Sequence, residues 1–132
     1  MLVRSRMAIN ILLVDDDALQ ATNRKCILER VGHLVQVCPG GQEALDFLSS
    51  RQSDSVRLVI TDHQMPGMNG PEFVRSLRSE GCLLPVVVLS GYADVEDEYE
   101  GLNVICRVKP FPPDQLISLV QYLLDATARK TA

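Results

Sequence analysis

The chain has 132 residues, 46% of them hydrophobic and 23% charged, enough for one globular domain with a single core and no room for a second. Its formal charge of −4 and pI near 5.1 give no electrostatic basis for direct contact with nucleic acid or an anionic membrane. No stretch approaches the roughly 18 apolar residues of a membrane span. Cys26, Cys38, Cys82 and Cys106 form no CxxC pair, so buried free thiols in a reducing cytoplasm are expected rather than disulfides or a metal site.

The opening "MLVRSRMAINILLVDDD" carries Arg4 and Arg6 before an apolar run, yet "INILLV" (9–14) is short and ends in three aspartates. It reads as a buried first strand, not a signal peptide. Residues 17–31 have helical spacing, "HLVQVC" (33–38) is a second strand, residues 41–50 a second helix, and "VRLVIT" (56–61) a third strand. In "NGPEFVRSLRSEG", Asn69 caps a helix, Pro71 fits its first turn, and Glu72 stands three after the cap as in a capping box. Phe73 and Leu77 share a face there, and Gly81 ends the helix. "LPVVVLS" (84–90) is a fourth strand, and about 93–100, with the acidic "DVEDEYE", a short helix. "VICRV" (104–108) is a fifth strand, and "PPDQLISLVQYLLDATARK" a closing helix with Leu116, Val120 and Leu123 on one stripe. Buried strands alternating with helices predict an α/β, doubly wound parallel sheet covered on both faces. The expected core spans about residues 8–126, with 1–7 and 127–132 as frayed tails.

In such a sheet, ligands gather at the carboxyl ends of the strands, near the point where the strand order reverses. The first strand ends in Asp15 and Asp16, the third in Asp62, the fourth in Ser90, and the fifth leads into Lys109. Carboxylates so close repel one another unless a cation sits among them. Donors limited to oxygen favour a hard ion, Mg2+, over zinc. Mg2+ and Lys109 together would neutralise a phosphoryl group while Asp62 attacks its phosphorus to give an acyl phosphate, and Ser90 would donate a hydrogen bond to a phosphoryl oxygen. Singly, each residue has a plainer reading: Asp at a strand end caps helices, Ser before Gly makes turns, and Lys before Pro is solvated. The combination, in this order and at these strand ends, favours the site. His63, beside Asp62, points to the opposite side of its strand.

These pieces, "ILLVDDD", "VITDHQMPGMNG", "VVVLSGYA" and "VKPF", make the chain resemble the receiver domain of two-component response regulators over roughly residues 8–126. The resemblance implies a flavodoxin-like receiver fold: five parallel strands in order 2-1-3-4-5 and five helices, two on one face and three on the other. It implies that Asp62 is the phosphoacceptor, that Asp15, Asp16, Asp62 and the backbone carbonyl of Gln64 hold Mg2+, and that Ser90 and Lys109 contact the phosphoryl group. It further implies a Lys109–Pro110 bond that is cis, a bond state modest in cost for X-Pro. A histidine kinase or histidine phosphotransfer protein would donate the phosphoryl group, with only slow self-phosphorylation and dephosphorylation by the domain itself. The charge gained would draw Ser90 inward and bias a face made by the fourth helix, fifth strand and fifth helix, read by a downstream protein that the sequence does not name. A monomer or weak dimer is expected.

Two departures from the family pattern stand out. Cys106 occupies the place three before the lysine where many receivers carry a switching aromatic, leaving Tyr92 or Tyr99 as substitutes. The chain from Ser90 to Lys109 is also short by nearly a helical turn, so a shortened or irregular fourth helix is expected. Two rivals remain at this level: a Mg2+-dependent phosphatase with an aspartate nucleophile on the first strand, for which "DDDAL" lacks the usual ending, and a receiver-like binding module that takes no phosphate.

Overall fold

The computed structural model describes residues 8–131, with side chains through Thr127. Five parallel strands, β1 (Ile11–Val14), β2 (Val35–Cys38), β3 (Leu58–Asp62), β4 (Val86–Ser90) and β5 (Val104–Val108), form one sheet in the order β2-β1-β3-β4-β5. The helices are α1 (Ala18–Arg30), α2 (Gly41–Leu48), α3 (Gly70–Ser79) and α4 (Pro113–Thr131), with 3₁₀ turns at Arg51–Ser53 and Glu96–Tyr99. Among the described residues the expected five helices are therefore four: where the resemblance implies a fourth helix, the chain makes only the turn Glu96–Tyr99. The cause is local. Only thirteen residues separate β4 from β5, and four of the five from Glu96 to Glu100 are acidic, with no basic residue among them to pair one turn away.

Side chains on the strands alternate between two cores. Ile11, Leu13, Leu58, Ile60, Val87 and Leu89 face α1 and α4, which bring Ala21, Leu28, Leu116 and Val120. Leu12, Val14, Val59, Val86 and Val88 face α2, α3 and the Glu96–Tyr99 turn, which bring Leu45, Phe73, Leu77, Val95 and Tyr99. With both faces covered, the central strands are buried throughout and apolar until their carboxyl ends, and each fully buried Leu or Ile contributes about 1.5–3 kcal/mol. β5, at the edge, is only half-covered, and Val108 is exposed.

Helix α3 begins with the capping box the sequence spells: the Asn69 side chain accepts from the Glu72 N–H, and the Glu72 carboxylate accepts from the Asn69 N–H. From the far end of α3, Arg78 donates to the carbonyls of Cys82, Leu84, Leu102 and Asn103, tying the helix to the entry loops of β4 and β5. The four cysteines are free, but only Cys38 is buried; Cys26 lies on the exposed side of α1, because its position falls outside the stripe of Ala21 and Leu28. Helix α4 runs on to Thr131, beyond the core limit expected at 126, while residues 1–7 and 132 of the expected tails lie outside the described residues.

Candidate functional site

Parallel register brings the strand ends to one rim. Asp62 ends β3 opposite Leu89, and Ser90 and Val108 are paired at the ends of β4 and β5, so Lys109 leaves β5 beside them. The three consecutive aspartates divide their work. Asp17 is the N-cap of α1, its carboxylate accepting from the N–H groups of Leu19 and Gln20. Asp15 is 2% exposed and accepts from the Asp17 N–H, which turns its carboxylate into the rim, whereas Asp16 is exposed. Oxygens of Asp15, Asp16 and Asp62 all lie within 4.8 Å of one another.

Two cations answer this charge. Lys109 Nζ lies 3.2 Å from Asp62 Oδ1 and also donates to Gln20 Oε1 at 3.4 Å; the Lys109–Pro110 bond that follows is cis. Arg24, from α1, donates through Nη1 to Asp15 Oδ2 at 2.8 Å and stands 3.9 Å from Asp62 Oδ1. Burial, and then the hydrogen bond and charge of neighbouring Asp15, push the Asp62 carboxyl up to about 7, against a lowering by Lys109. A carboxyl so placed wants further positive charge before it stays ionised. The set of hard oxygen donors around it fits a small divalent cation such as Mg2+.

Ser90 is 1% exposed, and its hydroxyl accepts from the Tyr92 N–H at 2.9 Å, closing a small turn at the end of β4. Gln64, two residues past Asp62, is exposed and lines a groove of about 740 Å³ between the β3–α3 loop and the segment 92–98. His63 points away from Asp62, as strand alternation requires. Its ring is buried, with Nδ1 2.7 Å from the Tyr99 hydroxyl and Nε2 3.5 Å from Glu98. Of the two candidate aromatics, Tyr99 is 3% exposed and packs in the core cluster that Cys106 borders, whereas Tyr92 is 57% exposed. Tyr99 thus reaches toward Cys106 from the 3₁₀ turn instead of standing on β5.

Sequence reading overlooked Arg24 and Gln20. A signal was present: Arg24 lies three residues after Ala21 and four before Leu28, so it interrupts the buried stripe of α1 with a charge that must find a partner.

A family model described as the response regulator receiver domain matches residues 11–121. The chain is 34% identical to the response regulator MprA of Mycolicibacterium vanbaalenii over 92% of its own length and 52% of that protein's. It is 33% identical to the two-component response regulator PhoP of Pseudomonas aeruginosa over 86% of its length and 51% of that protein's, so it spans about half the length of these relatives. Among solved structures, the chemotaxis protein CheY4 of Vibrio cholerae superposes with a TM-score of 0.76 at 28% identity, covering 86% of this chain and 97% of that one. The 2-1-3-4-5 sheet, the acidic rim and these matches together make the chain a member of the response regulator receiver domain family.

Proposed function

We propose that this receiver domain is the phosphorylation switch of a two-component phosphorelay and that Asp62 is its acceptor. The observation that carries the reading is the setting of Asp62: buried at the end of β3, contacted by Lys109, and clustered with the oxygens of Asp15 and Asp16. In the reaction, an Asp62 oxygen attacks the phosphorus of a phosphohistidine; the P–O bond forms as the P–N bond breaks, and the imidazole leaves with its electron pair. Lys109 is placed to hold a phosphoryl oxygen by charge. Ser90 exchanges its Tyr92 partner for a phosphoryl oxygen by rotating its hydroxyl. Asp15, Asp16, Asp62 and the Gln64 carbonyl would hold Mg2+, which when bound keeps Asp62 ionised and offsets the charge of the phosphoryl oxygens.

The donor is a histidine kinase or histidine phosphotransfer protein, and the recipient of the signal a downstream protein meeting the face made by the Glu96–Tyr99 turn, β5 and α4. The domain acts as one unit in the cytoplasm, as a monomer or weak dimer, without nucleic acid or membrane contact of its own. Among the described residues no helix is long and apolar enough to cross a membrane. Its chemistry is slow self-phosphorylation from small phosphodonors and slow hydrolysis, as befits a signalling domain.

Acetyl phosphate with Mg2+, followed by peptide mass spectrometry, is expected to place one phosphoryl group on Asp62 and none on the Asp62→Asn protein. Label on Asp15 or Asp17 would establish the phosphatase reading in its place. Failure of both acetyl phosphate and beryllofluoride to alter the protein would leave a binding module.

A further inference from the structure

Arg24 reaches into the acidic rim. Asp15 has two carboxylate oxygens, and both are engaged: Oδ1 accepts the Asp17 N–H at 2.9 Å, and Oδ2 accepts Arg24 Nη1 at 2.8 Å. The Arg24 side chain is 15% exposed and that of Asp15 fully buried, so water screens the pair weakly. The guanidinium is also held from behind, since its Nη2 donates to Gln20 Oε1 at 3.3 Å, and the same oxygen receives Lys109 Nζ. Gln20 lies one helical turn before Arg24, so the two side chains share a face of α1 that overlooks the rim.

We propose that Arg24 is a built-in competitor for the divalent cation and sets how tightly the domain binds it. The inference rests on the metal site at Asp15, Asp16 and Asp62 described above. Three carboxylates facing Arg24 and Lys109 carry a formal charge of −1 when all are ionised. Without Arg24 the same cluster carries −2, which one divalent cation neutralises. A cation entering the native cluster must take an oxygen from Arg24 or share the cavity with it, and either route weakens binding, because Arg24 Nη1 stands 3.9 Å from Asp62 Oδ1 in a poorly screened site. Displaced from Asp15, Arg24 remains tethered to Gln20, within reach to return when the metal leaves.

Titration calorimetry of the metal-free full chain with MgCl2 tests this without recourse to phosphorylation. Arg24→Met keeps the apolar stem and removes the charge; it is expected to bind Mg2+ about tenfold tighter than the native protein at low ionic strength, equivalent to about 1.4 kcal/mol. Arg24→Lys, which retains the charge but not the forked donor, is expected to fall between them. In thermal melts Arg24→Met is expected to unfold earlier than the native chain without metal and to gain more from saturating Mg2+. Should Arg24→Met not fold, Arg24→Gln carries the same expectation of tighter binding. Equal or weaker Mg2+ affinity in the charge-free variants overturns the proposal while leaving the metal site standing. Absence of Mg2+ binding to the native chain and the variants alike removes the metal site and the proposal with it.

Discussion

Replacing Asp62 by Asn is expected to stabilise the metal-free domain at neutral pH and to flatten its stability profile between about pH 5 and 8. Asp62 is 5% exposed, and its carboxyl is pushed from 3.8 to about 7 by burial and by Asp15, against Lys109. The folded chain therefore holds this proton more tightly than the unfolded one does. Stability from this group is fully present below about pH 4 and is lost as pH rises through about 7. At 1.36 kcal/mol for each tenfold change in proton affinity, the gap between 3.8 and about 7 sets a ceiling of about 4 kcal/mol. Arg24, 3.9 Å from the same carboxylate, offsets part of it, leaving an expected gain of about 2 kcal/mol for Asp62→Asn near pH 8. His33 acts in the opposite sense, since burial lowers its pKa and stability drains away as pH falls through the ordinary histidine range. It is common to both proteins and cancels in their difference. Urea unfolding with a chelator, at several pH values from 5 to 8, measures that difference. A constant difference across the interval, or an Asp62→Asn protein no more stable than the native chain at pH 8, would refute the reasoning.

At Gly70, an added Cβ would strike the Tyr99 hydroxyl and sit 3.0 Å from the Asp62 carbonyl oxygen and the His63 Cα, so Gly70→Ala is expected to cost about 1–3 kcal/mol in urea unfolding. Part of that loss is expected to return in the Gly70→Ala/Tyr99→Phe double variant, and strict additivity would show that the two residues do not collide. Asn69→Ala, which removes one half of the capping box on α3, is expected to cost about 1 kcal/mol; an unchanged urea midpoint would mean that the cap adds nothing to the rest of the β3–α3 loop.

The rim was legible because strand ends are legible. An apolar run marks a buried strand, the run stops where the chain leaves the sheet, and the polar residue at that stop must lie at the carboxyl end of a parallel sheet. Asp15, Asp62, Ser90 and Lys109 were found in that way, and the structure gathers them on one edge. The Asn69 cap was legible for a similar reason, since its partners are three residues apart. Cys26 shows where such reasoning fails: composition favours buried cysteines, but the phase of one helix decided otherwise.

By itself the sequence determined the α/β class, the strands, the capped start of α3 and the residues delivered to the rim, because each depends on periodicity or on neighbours a few positions apart. The tertiary structure decided which charges meet there. Arg24 reaches Asp15 only because α1 folds back across β1, and Tyr99 meets His63 only because the segment after β4 makes a single 3₁₀ turn that carries the ring to the end of β3. Those contacts join residues 9 and 36 positions apart, and it is packing of helix on sheet, not local pattern, that sets such distances.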